Sequence, residues 1–195
     1  MNAEDTVRAE KPGRNPSLHD RTAAAILEAA SHVLAEREGA TMTEIAEGSG
    51  VGRTTLYRYF ATRDALLASL ATAALAEAAG AVAAAGLERA PVPEALARVV
   101  RALLAVGDRY VVLVREQVLL DEETLERELA APVRAVIERG RRDGELRADV
   151  PAEWLLELFV GLLTAGVRLV GDRRAGLEEV AALVTDTFLD GARKT

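Results

Sequence analysis

The sequence predicts an all-α protein of about nine helices, and three observations support this fold class. Apolar residues recur at steps of three and four, as at Ile26, Ala30 and Val33, which places them on one face of a helix. Glycine and proline residues separate these segments from one another. No segment alternates convincingly between apolar and polar residues with a period of two, so no β-strand is expected.

The composition limits what the protein can do. Half of the 195 residues are apolar, so a sizeable core is available, and the absence of cysteine excludes disulfides and thiolate metal sites. The net charge of −7 argues against a uniformly basic coat for nucleic acid. Residues 1–63 carry eight basic and nine acidic side chains, so any nucleic-acid surface is expected to be local and to lie in this part.

The first residues and the most apolar run carry no membrane signal. Residues 1–19 are polar and contain prolines and a glycine, so we expect a flexible tail without a secretory leader. The most apolar run, from Trp154 to Val170, is interrupted by Glu157 and Arg168 and is short for a membrane span of roughly 20 residues. We therefore expect a buried helix, no membrane partner and a cytoplasmic protein.

Residues 20–65 are expected to form a small N-terminal domain. Its first helix occupies about residues 20–38, and its second begins near Thr43, whose hydroxyl can accept from free backbone N–H groups. The third helix lies within the stretch GVGRTTLYRYF of residues 50–60. Thr62 then caps a long, alanine-rich fourth helix.

Residues 66–195 are expected to form a larger helical domain. After two prolines, a helix is predicted over about residues 94–120, with a break near residues 107–108 as the alternative to one continuous helix. A short acidic helix and another over about residues 132–142 follow. The last two helices cover the apolar run described above and the residues from Leu177 to Leu189.

The stretch GVGRTTLYRYF and the short helix before it form a helix-turn-helix candidate. Gly50 can supply the positive φ that the turn requires without strain. Leu56 and Phe60 are placed to face the core, while Arg53, Arg58 and hydroxyl-bearing neighbours face outward. Guanidinium groups bind guanine edges and phosphates, and hydroxyls bind phosphate oxygens, so this face has the chemistry for a DNA major groove.

Residues 41–70, TMTEIAEGSGVGRTTLYRYFATRDALLASL, resemble the DNA-binding segment of TetR-family transcriptional regulators. The likeness is carried by the I-A-x-x-x-G-V turn, by T-L-Y-x-Y-F and by a basic residue at the start of the fourth helix. With the first helix it covers about residues 20–70. Two positions depart from the family pattern, because Gly52 replaces the usual hydroxyl cap and Tyr59 replaces a histidine.

The resemblance implies which residues contact double-stranded DNA. Arg53, Thr54 and Arg58 are expected at base edges in the major groove. The expected phosphate-binding residues are Arg21, Thr43, Thr55, Tyr57, Tyr59 and Arg63. Taken singly, such tyrosines are more often packing residues and such an arginine is more often a solvated charge, so the prediction depends on their joint spacing.

The resemblance also implies a regulatory half that dimerises. The last two helices carry more apolar residues than one core-facing side needs, which favours burial against a second copy. The candidate interface residues are Leu155, Leu158, Phe159, Leu162, Leu163, Val184 and Phe188. Burial inside a monomer is the alternative. A two-fold homodimer is expected to bind a palindromic operator.

Effector-binding residues are chosen from their chemistry alone, because the regulatory halves of the family diverge. Polar or aromatic groups within apolar helices can orient a small, mainly apolar molecule, whose identity the sequence does not give. The candidates are Arg109, Tyr110, Arg115, Glu116, Gln117 and Trp154. Ion pairing between helices and ordinary packing are the alternatives for each of them.

The leading hypothesis is a ligand-responsive transcriptional repressor that its effector releases from DNA. A ligandless or activating DNA-binding dimer shares the motif and is the nearest alternative. A small helical enzyme is a distant one, because the only histidines are His19 and His32 and no glycine-rich phosphate loop or H-E-x-x-H motif is present. The acids between residues 121 and 128 are interpreted as a solvated helix face, so no metal and no cofactor are expected.

Overall fold

The computed structural model describes residues 17–107, 109, 112–113, 116, 118 and 120–193, and this part of the chain is helical with one isolated bridge between Leu146 and Arg193. The helices are α1 Leu18–Glu36, α2 Met42–Gly48, α3 Arg53–Tyr59, α4 Arg63–Ala84, α5 Val92–Ala105, α6 Glu122–Leu125, a π-helical turn Glu126–Ala130, α7 Ala131–Arg142, α8 Ala152–Gly171 and α9 Leu177–Ala192. α6, the π-helical turn and α7 are continuous, so the elements with described bounds form eight helical rods, and Gly107, Arg109, Val112 and Leu113 are helical as well. The all-α fold class is confirmed, and residues 1–16 of the predicted tail lie outside the described residues.

Two helices begin at capping boxes, earlier than predicted. α1 follows Ser17, whose hydroxyl accepts from the backbone N–H of Asp20 while the Asp20 carboxylate accepts from the Ser17 N–H. α2 follows Thr41, which is paired with Glu44 in the same way. The expectation that α2 begins near Thr43 is corrected, since Thr43 lies inside its first turn.

Two hydrophobic clusters form the core. The N-terminal cluster comprises buried side chains of α1, α2, α3 and the first half of α4, from Ile26 to Ala74, together with Val112 and Leu113. The C-terminal cluster comprises buried side chains from Val82 to Ala192, contributed by the end of α4 and by α5, α7, α8 and α9. α5 contacts α4, α7, α8 and α9, so it lies at the centre of the second cluster.

α4 belongs to both clusters. Its N-cap is Thr62, as predicted, and the Thr62 hydroxyl accepts from the backbone N–H of Ala65. Leu66 and Leu70 are fully buried in the N-terminal cluster, whereas Val82 is buried in the C-terminal cluster. A change in the tilt of this helix therefore reaches both cores.

α8 and α9 approach each other closely within one protomer. A Cβ atom at Gly166 would lie 2.9 Å from Cγ2 of Val184, closer than Cβ atoms normally approach another atom. The rings of Phe159 and Phe188 meet edge to face, with 5.2 Å between their centroids. These contacts bury much of the apolar surface of the two helices within the protomer.

This packing corrects part of the predicted dimer interface. The four candidates that are at most 4% exposed in the C-terminal cluster are Leu155, Phe159, Val184 and Phe188. A second chain cannot reach side chains that the protomer itself covers, so these four are core residues. Among the other candidates, Leu158 is 47% exposed, while Leu162 and Leu163 are half-buried.

Two helices, α4 and α8, are long and apolar enough to cross a membrane by length and composition. Both contribute side chains to the hydrophobic clusters described above. Core helices of soluble proteins pass the same test, so this property is weak evidence for a membrane span.

Candidate DNA-binding and effector sites

The turn between α2 and α3 is fixed by backbone geometry. Gly50 adopts a φ of +66°, and its N–H donates to the carbonyl oxygen of Glu47 over 3.2 Å. The N–H of Val51 donates to the carbonyl oxygen of Ala46 over 3.1 Å, and the two bonds together form a Schellman motif. Glycine adopts this φ without strain, which is the role predicted for Gly50.

α3 has one buried and one exposed side. Leu56 is fully buried and Phe60, which follows the helix, is 5% exposed, so both anchor α3 to the N-terminal cluster. Arg53, Thr54 and Arg58, the residues predicted to reach base edges, are all exposed. Of the predicted phosphate contacts on α3, Tyr57 is exposed, while Thr55 and Tyr59 are half-buried.

Tyr59 packs against two side chains that flank it. Its ring centroid lies 4.6 Å from that of His19, in the first turn of α1, and 5.3 Å from the guanidinium carbon of Arg58. Packing, the alternative considered for this tyrosine, is therefore present in the structure. The ring connects the start of α1 to α3 and supports a cation over its face, while its phosphate contact stays a prediction.

Three predicted phosphate contacts lie outside α3, each in the first turn of a helix, and Arg63 of α4 is described separately below. Arg21 is exposed in the first turn of α1, and Thr43 is half-buried in the first turn of α2. The first turn of a helix favours anions through the helix dipole, and because the Arg21 N–H donates to the carbonyl oxygen of Ser17 over 3.0 Å, its guanidinium is the group that would bind a phosphate. The positions of both residues suit a phosphate contact, which stays a prediction.

Arg63 is bound within the protein at the start of α4. Its Nε donates to the carbonyl oxygen of Ala40 over 3.0 Å, and its Nη2 donates to Oε1 of Glu116 over 2.7 Å. The same oxygen of Glu116 accepts from the backbone N–H of Gly39 over 3.1 Å. Arg63 thus connects α4, the loop between α1 and α2, and the segment that follows α5.

Glu116 is ionised in this arrangement. Burial by itself raises the pKa of its carboxyl group, but the hydrogen bonds from Arg63 and from the Gly39 N–H together lower it by more, so the net pKa lies below the usual value. The carboxylate is only 10% exposed, compared with 29% for the Arg63 side chain. Ion pairing, the alternative considered for Glu116, is therefore what the structure shows.

Comparisons with known proteins decide the family. Residues 26–70 match the sequence profile of a family described as bacterial regulatory proteins, tetR family. The transcriptional repressor LfrR of Mycolicibacterium smegmatis is 31% identical over 174 residues, which cover 89% of this chain and 92% of that protein. The chain belongs to the tetR family of bacterial regulatory proteins.

Further relatives agree with this assignment. The transcriptional regulator NfxB of Pseudomonas aeruginosa is 30% identical over 172 residues, covering 86% of this chain and 92% of that protein. The crystal structure of LfrR from Mycobacterium smegmatis in complex with proflavine matches with a TM-score of 0.73 and 29% identity, over 90% of this chain and 99% of that one. These TetR-family relatives are transcription regulators and not enzymes. They confirm the predicted family and the prediction that the protein is not an enzyme.

The family also fixes coarser properties of the protein. TetR-family regulators bind DNA, typically dimerise and bind small ligands, and are soluble cytoplasmic proteins. Among the described residues, no group of three or more aspartate, glutamate or histidine side chains is arranged to hold a metal ion.

Two adjoining cavities run along α4 of this TetR-family chain. The α4–α6 cavity, of about 520 Å³, is lined by Ala71 and other α4 residues and by Leu120, Asp121 and Glu128 on the opposite side. The α4–α7 cavity, of about 760 Å³, shares Ala79 and Glu128 with the first. Its far end is bordered by arginines of α7 and of the loop after α4.

The effector residues predicted from the sequence do not line these two cavities. Arg109 borders a separate cavity of about 280 Å³, and its guanidinium forms ion pairs with Glu28 of α1 and Glu77 of α4. Trp154 is 60% exposed on α8, and Glu116 is paired with Arg63, so the effector role of both stays a prediction. The remaining candidates, Tyr110, Arg115 and Gln117, lie outside the described residues.

The sequence did contain a signal for the α4 cavities. Residues that line them on α4 recur at steps of three and four, as at Ala68, Ala71, Leu75 and Ala79, and most are alanines. Small residues on one face of a long helix leave room beside it. Glu128 was interpreted as a solvated charge, yet it lies in the π-helical turn and borders both cavities. π-Helical turns are frequent at functional sites.

Proposed function

We propose that the protein is a repressor that binds a palindromic operator as a homodimer and leaves it when a small apolar cation binds beside α4. The observation that carries this proposal is that the α4–α6 cavity and the N-terminal cluster share side chains. Ala71 lines the α4–α6 cavity and is buried in the N-terminal cluster, and Leu120 lines the same cavity and packs against that cluster. A ligand in this cavity touches the core that supports α3, so its binding can favour a conformation that misses the operator.

Exposed apolar side chains on the last two helices support a homodimer. Of the six large apolar side chains exposed in the described part of the chain, Trp154, Leu158 and Val160 lie on α8 and Leu183 lies on α9. Exposed apolar surface of this kind is covered best by a partner. To read two successive major grooves, such a dimer must hold its two α3 helices about 34–36 Å apart, which is one turn of DNA.

The charges of the α4–α6 cavity favour a cationic effector. Its described lining contains two carboxylates, Asp121 and Glu128, and no basic side chain, and the rest is alanine, leucine and threonine. Hydrogen bonds from Thr124 hold the pKa of Asp121 below its usual value, so this group is ionised at neutral pH. The relative LfrR was solved with proflavine, a planar aromatic cation. Because the described lining here contains no aromatic ring, we expect alkyl and carboxylate contacts to the ligand.

The DNA part of the proposal is tested by selecting bound duplexes from a random pool with the wild-type protein. We expect an inverted repeat whose half-sites are separated by about 10–10.5 base pairs or a multiple of this. Arg53→Ala should weaken binding by about 1–3 kcal/mol and relax the preference at one position in each half-site. Arg142→Ala, an exposed arginine at the end of α7, is the control and should bind as wild type. An enriched sequence without symmetry would contradict the dimer.

The effector part is tested by fluorescence anisotropy of the selected duplex with three probes of different charge. Proflavine is the cation, acridine at pH 8 is the neutral analogue, and anilinonaphthalene sulfonate is the anion. We expect proflavine alone to release the DNA, and Glu128→Gln to weaken this response about tenfold. Glu122→Gln on α6, outside the cavity lining, is the control. Equal release by all three probes would contradict a charge-selective site, and release by none would favour a ligandless dimer.

A further inference from the structure

The ion pair between Glu116 and Arg63 lies at the junction of the reading helix and the regulatory half. Arg63 is the first residue of α4 and follows Phe60, which anchors α3, by three residues. The family resemblance implies that Arg63 grips the DNA backbone. In the structure, the same guanidinium is bound by a carboxylate and a carbonyl oxygen of its own chain.

We infer that Glu116 withholds Arg63 from the operator, so that the carboxylate and a DNA phosphate compete for one guanidinium. The inference rests on the proposed DNA-binding function and adds a residue that sets its affinity. The Glu116 carboxylate thereby occupies the guanidinium in the way a DNA phosphate would, since both are anions with several acceptor oxygens.

The geometry supports competition. The Nε and Nη2 groups, which form one edge of the guanidinium, are both occupied, by Ala40 and by Glu116. A bidentate grip on a phosphate through that edge therefore requires the Glu116 contact to open. An acid that only positioned Arg63 would add a negative charge beside a phosphate, and like charges at such a distance oppose binding.

Glu116 is held in place by two groups of the DNA-binding domain. Its carboxylate accepts from the Gly39 N–H in the loop between α1 and α2, as well as from Arg63. Val112 and Leu113, a few residues earlier, are buried in the N-terminal cluster. The carboxylate is therefore held by groups of the DNA-binding domain and is not a free surface side chain.

This segment also reaches the α4–α6 cavity. Leu120, four residues after Glu116, lines that cavity and packs against the N-terminal cluster. At the other end of the segment, Arg109 is paired with Glu28 of α1 and Glu77 of α4. Described residues before and after Glu116 thus contact both the DNA-binding domain and the cavity.

The test is a double-mutant cycle with Glu116→Gln and Arg63→Ala, measured by fluorescence anisotropy on the duplex selected by the wild-type protein. We expect Glu116→Gln to tighten binding about 5- to 10-fold, because the amide still accepts from Gly39 but no longer neutralises the guanidinium. In the Arg63→Ala background the same change should alter the affinity by less than about twofold, since the guanidinium for which carboxylate and phosphate compete is gone. Glu178→Gln, which removes the carboxylate paired with Arg101 at 3.0 Å between α5 and α9, is the matched control and should bind as wild type.

Circular dichroism and urea unfolding show whether each variant is folded before its affinity is measured. If Glu116→Gln does not fold, Glu116→Asp, which keeps the charge on a shorter side chain, should tighten binding to a smaller extent. Unchanged or weaker binding by the folded variant overturns the inference, and weaker binding would mean that Glu116 positions Arg63 for DNA. Tightening that persists without Arg63 overturns it as well, because it would be a general charge effect. A wild-type protein that selects no duplex would instead refute the proposed function itself.

Discussion

The carboxylate of Glu44 accepts hydrogen bonds from both the backbone N–H and the hydroxyl of Thr41, each over 2.8 Å. In return, the Thr41 hydroxyl accepts from the backbone N–H of Glu44. A third bond to the carboxylate comes from Arg37, at the end of α1. The start of α2, and with it the support of the reading helix, is therefore fixed by an ionised group.

This arrangement predicts how stability depends on pH. Hydrogen bonds from the Thr41 backbone, the Thr41 hydroxyl and Arg37 lower the pKa of Glu44 from 4.5 to about 2. A depressed pKa in the folded state means that the stabilisation is complete above pH 4.5 and is lost as the pH falls toward 2. We expect urea unfolding to show wild type more stable than Glu44→Gln at pH 7, with the difference closing below pH 4.5.

Glu47→Gln is the matched control for this prediction. Glu47 is exposed on the same short helix and takes no part in the capping box. Its replacement should leave the pH dependence of unfolding as in wild type. A gap between wild type and Glu44→Gln that stays constant from pH 7 to pH 2 would show that the Glu44 charge is not what stabilises α2.

The positive φ of Gly50 predicts that replacing this glycine lowers the stability of the protein. An added Cβ would meet no atom within 4 Å, so Gly50→Ala tests the φ of +66° and not a clash. We expect the free energy of unfolding to fall by about 1–2 kcal/mol, the usual cost of placing an L-residue in this region. Gly50→Asn should cost clearly less in the same urea titration, because asparagine tolerates positive φ. If alanine and asparagine lower the free energy of unfolding equally, the positive φ of Gly50 is not the cause of the loss.

The turn and its anchors could be predicted from the sequence because their requirements are local. A positive φ at Gly50 and buried positions at Leu56 and Phe60 follow from spacing within eleven residues. The capping boxes at Ser17 and Thr41 were equally local, and the pattern of a hydroxyl followed three residues later by an acid was present in both. At α2, the sequence offers a second hydroxyl at Thr43 that can also cap a helix, so the capping chemistry alone does not select Thr41.

The regulatory half was harder to predict because burial there is decided by distant partners. Periodicity shows that Leu155 and Leu158 lie on an apolar helix, but it cannot show that α8 buries the first in its own protomer and exposes the second. The Glu116–Arg63 pair joins residues 53 positions apart, and nothing near either residue predicts it. Contacts of this kind become visible only when the packing of α4 is known.

The close approach of α8 and α9 predicts that Gly166 cannot be enlarged without cost. A Cβ there would lie 2.9 Å from Val184 and 3.0 Å from Val180, and branched side chains in a filled core cannot move aside freely. We expect Gly166→Ala to lower the free energy of unfolding by about 1–3 kcal/mol in a urea titration. Gly80→Ala, in α4 with no atom within 4 Å of the new Cβ, should instead raise it by about 0.5–1 kcal/mol. A Gly166→Ala protein as stable as Gly80→Ala would show that the two helices can separate easily.

The exposed surface of α8 predicts the behaviour of an interface variant. Leu158 is 47% exposed in the protomer, so Leu158→Glu should leave the protomer folded and place a charge where we propose that a second copy packs. We expect monomers in size-exclusion chromatography with light scattering. Operator affinity should also fall strongly, because a monomer presents only one reading helix to a two-part site.

Two further substitutions separate loss of the dimer from other effects of an added carboxylate. Ala148→Glu adds the same charge to an exposed loop position after α7, and it should dimerise and bind DNA as wild type does. Leu155→Glu buries its charge in the C-terminal cluster, so it should lower the stability of the protomer itself, as circular dichroism would report. If Leu158→Glu remains dimeric with unchanged affinity, the dimer uses another surface, and Leu183 of α9 would be the next position to substitute.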